Sequence, residues 1–225
     1  MPGETLRREY SMRLDCRYLL TAPPEPHLLV ACLHGYGSNA EVMLRLTRSL
    51  LGDAHAYVSL EAPYPFYVSL APDRVVGHNW ATHLHSDASV RLHHDMLRYV
   101  LDEAGRAAGI GPERRVLVGF SQPVGMNYRF AATHPDEAAG VIGVCGGVPA
   151  DWETGSYLPV SAALLHIARN EDEVYPPAKT SHFAERLRLR ARDVEFHMLD
   201  GGHRFPSKAA PLAAAWVERV FRNTR

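Results

Sequence analysis

Little in this 225-residue chain is in excess, and several features are nearly missing. Surplus charge is the first: 24 Lys and Arg against 25 Asp and Glu leave a formal net charge of -1. Without a basic excess the chain has no electrostatic footprint for nucleic acid or an anionic membrane, so neither is expected as a partner. Cysteine is scarce, with Cys16, Cys32 and Cys145 widely spaced and no CxxC pair among them. Two of the three sit inside apolar runs, which reads as reduced, buried thiols in a cytoplasmic protein and not as a disulfide framework. No stretch approaches the ~20 apolar residues that span a bilayer. The opening MPGETLRREYSMRLD also lacks the apolar centre of a signal peptide. Lysine is almost absent, with only Lys179 and Lys208, a bias that carries no functional weight by itself. Repeats, low-complexity tracts and linkers are missing too. The chain therefore reads as one domain, residues 1–225, short of the ~250–300 residues at which chains divide.

What is present alternates. Short apolar runs at 28–33 (LLVACL), 56–60, 116–120, 141–145, 162–168 and 194–199 are nearly continuous, as in strands buried on both faces of a parallel sheet. Helical patterns lie between them at 39–51, 87–108, 122–133, 177–191 and 209–222. The first has Ser38 as expected N-cap, a face of Val42, Leu46 and Leu50, and Gly52 as its stop. The second is expected to be capped by Ser86 or Asp87 and closed by Gly109. This order predicts a three-layer α/β fold, mostly parallel, with helices on both faces. Residues 10–20 are expected to add an edge hairpin strand. Segments 61–86 and 146–160 resist assignment and are read as loops that shape a site.

In open parallel sheets the site lies beyond the carboxyl ends of the strands, so the residues just after each run matter most. After 116–120 comes Gly119-Phe120-Ser121-Gln122, a strand–turn–helix setting for a nucleophile elbow. After 162–168 comes Asn170-Glu171-Asp172-Glu173, where a carboxylate can orient a histidine; Asp172 is preferred and Glu171 is the alternate. After 194–199, Gly201-Gly202 leave room for His203 to swing over the sheet. Nucleophile, acid and base in that order is the α/β-hydrolase order. After 28–33, His34-Gly35-Tyr36-Gly37 forms a turn that can aim the Tyr36 N–H inward, and Gln122 N–H is the second expected oxyanion donor. His34 is read as a brace for this loop and not as a catalyst.

The motifs HGYGSN, GFSQ, NEDEVYP and GGHRFP, in this order, resemble the phospholipase/carboxylesterase branch of the α/β-hydrolases, which includes acyl-protein thioesterase-like enzymes. The likeness runs from about residue 27 to 220. It implies a cofactor-free serine esterase with a small cap or none, acting on carboxylic esters or thioesters. By this resemblance Ser121 is the nucleophile, Asp172 the acid, His203 the base, and Tyr36 and Gln122 the oxyanion donors. Trp80 falls where the family has an aromatic near the acyl pocket, and Tyr64, Phe66 and Tyr67 of the same segment offer further apolar surface. The expected partner is a small-molecule ester, with a homodimer left open. One departure stands out: the family has Gly-Gly after Ser-Gln, where this chain has Pro123-Val124. Proline disfavours the α region for the residue before it. That predicts a shifted Gln122 donor, and poor oxyanion geometry costs ~10²–10³ in rate.

Two rival readings follow from particular residues. Pro123-Val124 motivates a non-catalytic ligand-binding protein on a hydrolase scaffold. His83-x-His85 and His93-His94-Asp95, within a total of 13 histidines, motivate a metal site. Ligands on a helix share a face at i, i+3 or i, i+4, whereas adjacent residues diverge by about 100°. The His83/His85 pair lacks a third ligand, HExxH is absent, and no metal is expected. Gly35-x-Gly37 lacks the third glycine and the Walker lysine of a nucleotide site, so no cofactor is expected either.

Overall fold

A strand whose every side chain is buried must be covered on both faces. The five-residue strands Leu29–Leu33 (β2), Ala56–Leu60 (β3) and Gly140–Val144 (β7) are of this kind. In the computed structural model, which describes residues 4–10 and 12–222, they belong to one seven-stranded sheet. Its other members are Tyr18–Thr21 (β1), Arg115–Phe120 (β6), Ala163–Arg169 (β8) and Val194–Leu199 (β9). The order is β1-β3-β2-β6-β7-β8-β9, parallel throughout except for β1, which runs antiparallel to β3. This is the α/β-hydrolase fold.

Alternate residues of each strand feed two cores. Leu29, Ala31 and Leu33 of β2 join Val58, Leu60 and Leu117 on one face, under helices Ser86–Ala108 (α2), Val124–Thr133 (α3) and Phe183–Arg188 (α5). Val30 and Cys32 join Val116, Val118 and Leu165 on the other, under Ala40–Leu51 (α1) and Ala210–Phe221 (α6). Trp216 of α6 is essentially buried there.

Several boundaries differ from expectation, each for a local reason. The helix expected at 177–191 divides into Pro177–Thr180 (α4) and α5, because Thr180, Ser181 and His182 are three weak helix formers in a row. The α1 cap is Asn39, whose Oδ1 accepts the Val42 N–H at 2.9 Å. Ser38 is drawn instead into a bridge with His78. His85, in a left-handed conformation, stands before α2 without a side-chain cap, and Ser86 and Asp87 lie inside the helix. The edge segment narrows to β1 and is no hairpin, since β3 is its neighbour in place of β2; Ser11 of that segment lies outside the described residues. Segment 61–86 contains a small separate hairpin of Tyr64–Tyr67 (β4) and Val76–Asn79 (β5). Segment 146–160 has no helix or strand but is pinned by arginines. Arg190 donates to the carbonyls of Trp152, Tyr157 and Gly155 at 2.6–2.8 Å, and Arg186 donates to that of Pro149 at 2.7 Å.

Candidate active site

Three residues separate β6 from α3, so the turn between them is tight. Ser121 occupies it with φ +62°, a left-handed value that non-glycine residues rarely adopt. Its N–H is held by Val144 O of the adjoining strand at 2.8 Å, and its own carbonyl accepts Val124 N–H at 3.2 Å. Pro123 sits just ahead of the helix with φ -76° and ψ -8°, and its carbonyl takes the first helical bond, from Asn127 N–H at 2.8 Å. No bond is lost for want of a proline N–H. Bulk at Val124 is matched by glycines opposite. A methyl group on Gly143 would stand 2.7 Å from Val124 Cγ1, and one on Gly146 would overlap Val124 and come 2.6 Å from Ser121 O. Glycines on the sheet side thus let helix and sheet approach.

The ends of β8 and β9 are zipped together. Asn170 N–H reaches Leu199 O at 2.9 Å, Asn170 Oδ1 accepts Gly201 N–H at 2.9 Å, and Glu171 N–H reaches Gly201 O at 3.0 Å. This presents His203 to both partners. Its Nε2 lies 2.9 Å from Ser121 Oγ, and its Nδ1 lies 2.9 Å from Asp172 Oδ2 and 3.0 Å from Oδ1. Asp172 is 2 % exposed. Burial alone would raise its pKa, but the N–H groups of Tyr175 and Val174, both at 2.8 Å, together with His203, hold the carboxyl below its ordinary range. A carboxylate there keeps the ring proton on Nδ1 and leaves Nε2 free to accept from Ser121. Glu171 is exposed and bonds through its backbone. Glu173, also exposed, accepts His203 N–H at 3.2 Å. Of the three neighbouring acids, Asp172 alone meets the imidazole.

Among the described residues, neither Tyr36 N–H nor Gln122 N–H donates to a protein acceptor. His34 is buried; its Nδ1–H donates to Gly35 O at 2.8 Å and its Nε2 accepts Ala62 N–H at 3.1 Å. Burial pushes its pKa down to about 4, so it stays neutral and braces the turn.

A cleft of about 810 Å³ opens over Ser121 and His203. Its apolar walls come from Val42, Met43 and Leu46 of α1, with Phe120, Tyr175 and Phe205. Of the aromatic residues expected to meet substrate, none lines it. Trp80 is 0 % exposed, because its indole packs between His34 and His93 and its Nε1–H donates to His34 O at 2.7 Å. Tyr64 and Phe66 lie on the β4–β5 hairpin, and Phe66 stacks on the exposed Tyr36 ring with centroids 4.8 Å apart. The walls lie in part on the helical face expected from Val42, Leu46 and Leu50. Helical spacing paired Val42 and Leu46 with Leu50, yet only Leu50 is buried, alongside Met43 and Thr47. Among the described residues, no three His, Cys, Asp or Glu side chains are grouped to hold a metal ion. No described helix is long and apolar enough to cross a membrane.

Comparison with known proteins adds the family. The phospholipase/carboxylesterase family model matches residues 20–216. The chain belongs to that family. A phospholipase/carboxylesterase-type sheet is also found in solved structures: the carboxylesterase from Mesorhizobium loti superposes with a TM-score of 0.74 at 18% identity, over 91% of this chain and 95% of that one. The Bacillus cereus carboxylesterase gives 0.71 at 16% identity, over 92% and 95%. At such identities the likeness speaks for the fold. In sequence, NocK of Nocardia uniformis subsp. tsuyamanensis, a protein named as an esterase, is 34% identical over 147 residues. That alignment takes in 63% of this chain and 39% of NocK, so this member of the phospholipase/carboxylesterase family spans well under half of that relative.

Proposed function

We propose that this protein is a cofactor-independent serine esterase that hydrolyses small to medium carboxylic esters through an acyl-enzyme on Ser121. The observation that carries this is the continuous hydrogen-bonded chain Ser121–His203–Asp172 on three strand ends, beside an apolar cleft. His203 Nε2 takes the Ser121 proton as Oγ attacks the acyl carbonyl, and Asp172 stabilises the imidazolium that forms. The oxyanion is received by the Tyr36 and Gln122 amides. The alcohol leaves with the proton held by His203, and water repeats the sequence to release the acid. An ester with an acyl or aryl group that fills the α1-walled cleft suits this geometry, and a thioester passes through the same tetrahedral stage. The free thiols Cys16, Cys32 and Cys145 fit a reducing, cytoplasmic setting. The binder reading rests on Pro123-Val124; against it stands the complete hydrogen-bonded chain of Ser121, His203 and Asp172 beside that turn.

The test is hydrolysis of p-nitrophenyl butyrate. Ser121→Ala is expected to lower kcat by about 10⁴–10⁶-fold. Full activity in that variant overturns the reading, as does failure of a fluorophosphonate to label the wild-type serine.

A further inference from the structure

Building on the esterase reading, we propose that the segment His78–Ala81 is a frame that sets the spacing of the two oxyanion amides. The Gln122 carboxamide and the Trp80 indole act as its positioning residues. The two amides come from turns far apart in sequence. Tyr36 follows β2 and Gln122 follows β6, and these strands are neighbours, with Leu33 opposite Gly119. Sheet register fixes where the strands end. It does not fix the peptide planes of the turns beyond them, yet both N–H groups must aim at one oxygen within ordinary hydrogen-bond distance.

Six hydrogen bonds tie these turns to four consecutive residues. The Tyr36 turn is gripped on both sides: Gly37 N–H donates to His78 O and His78 N–H to Ser38 O, each at 2.9 Å, while Trp80 Nε1–H donates to His34 O at 2.7 Å. Gln122 is gripped through its own side chain. Its Oε1 accepts Trp80 N–H at 3.1 Å, and its Nε2 donates to Asn79 Oδ1 at 2.6 Å and Ala81 O at 2.8 Å. Both amide hydrogens and the carbonyl oxygen of the carboxamide are thereby engaged. Any sizeable rotation of the Gln122 backbone would pull all three bonds apart, so the side chain holds the peptide that carries the donor. Trp80 belongs to both grips, and its ring is backed by His34 and His93 at centroid distances of 5.5 and 5.3 Å. The approach at the start of the frame is tight: a methyl group on Gly77 would overlap the Gly37 carbonyl and stand 2.7 Å from its Cα.

Removing an oxyanion donor outright costs ~10²–10³ in rate, and displacing one costs less. Gln122→Ala and Gln122→Glu are each expected to lower kcat for p-nitrophenyl butyrate about 10- to 100-fold, with KM within about threefold. Gln122→Glu keeps the acceptor for Trp80 N–H but sets an oxygen against Asn79 Oδ1 and Ala81 O. Trp80→Phe keeps an aromatic ring, though a smaller one, loses Nε1–H and is expected to act in the same sense. Rates are normalised to serine titrated by a fluorophosphonate, so misfolded protein does not count. The discriminating readout is affinity for a butyl trifluoromethyl ketone, whose adduct oxygen occupies the oxyanion position. It should weaken in parallel with kcat across the three variants, and the Gln122→Ala/Trp80→Phe pair should lose less than the product of the single losses. Normalised kcat within twofold of wild type in the Gln122 variants overturns the frame. So does a loss confined to KM, or ketone affinity that stays constant while kcat falls. If wild type itself hydrolyses no ester, or Ser121→Ala retains activity, the esterase reading has failed and not the frame alone.

Discussion

At the scale of single residues, the packing of Val124 against glycines explains how the elbow accommodates a β-branched side chain. Gly143 and Gly146 on the facing strand and loop give Val124 its room. Gly146→Ala is therefore expected to cost about 1–3 kcal/mol through overpacking. Urea unfolding checks this, and pairing it with Val124→Gly should restore part of the loss. Residue identity was readable in sequence wherever position after a strand decided it. Ser121 and His203 are the cases in point, because strand ends are marked by where apolar runs stop. The choice of Asp172 over Glu171 needed coordinates, since it depends on two backbone N–H groups that turn toward one carboxylate. Trp80 misled for the opposite reason. An aromatic in a Pro- and Gly-rich segment looks available, and only tertiary contacts show its indole sealed between two histidines.

Among the elements, the parallel strands were the most legible, because burial on both faces writes a continuous apolar run. Helix α1 was legible as a helix, but its spacing grouped Val42 and Leu46 with the buried Leu50. It serves two masters, with Thr47 and Leu50 turned to the core, the half-buried Val42 and Leu46 walling the cleft, and Met43 touching both. Leu46→Trp is accordingly expected to narrow that wall and shift the preferred p-nitrophenyl ester to a shorter acyl chain. A series from acetate to octanoate measures the shift, and kcat/KM for the longest esters should fall about tenfold or more while acetate changes little. Segment 146–160 was unreadable because its order comes from guanidinium forks reaching in from α3 and α5 and the turn after α5. Such many-toothed contacts to carbonyls suit arginine and not lysine, so the arginine-rich composition has at least this structural use.

Over the whole molecule, five of the 13 histidines are buried: His34, His55, His93, His94 and His166. Desolvation pushes the pKa of His34 and His94 down to about 4 and that of His93 and His166 to about 3. The unfolded chain would titrate these groups near ~6.5. Below that pH the unfolded state binds more protons than the folded one, so stability rises with pH across the interval. The contribution is complete above ~6.5 and drains away as pH falls toward the folded values. Thermal unfolding followed from pH 8 to pH 4 is expected to show Tm nearly level above pH 7 and falling steeply below pH 6. A Tm that stays flat to pH 4.5 would mean these rings are hydrated. The same acid limb will appear in activity assays, where it reports loss of fold in addition to titration of the reacting groups.

Among the described residues, the β4–β5 hairpin is hydrogen-bonded to the rest of the fold at one end only. Val68 and Ser69 N–H bond to Val75 O at its tip, and His78–Ala81 carry the hydrogen bonds to the elbow and the oxyanion turn, while Phe66 and Val68 pack on Tyr36 and Gly37. For library design the hairpin is thus a socket with an exchangeable plug. Sequence and length can be varied between Ser69 and Val75, provided Phe66 and Val68, which pack on Tyr36 and Gly37, are kept.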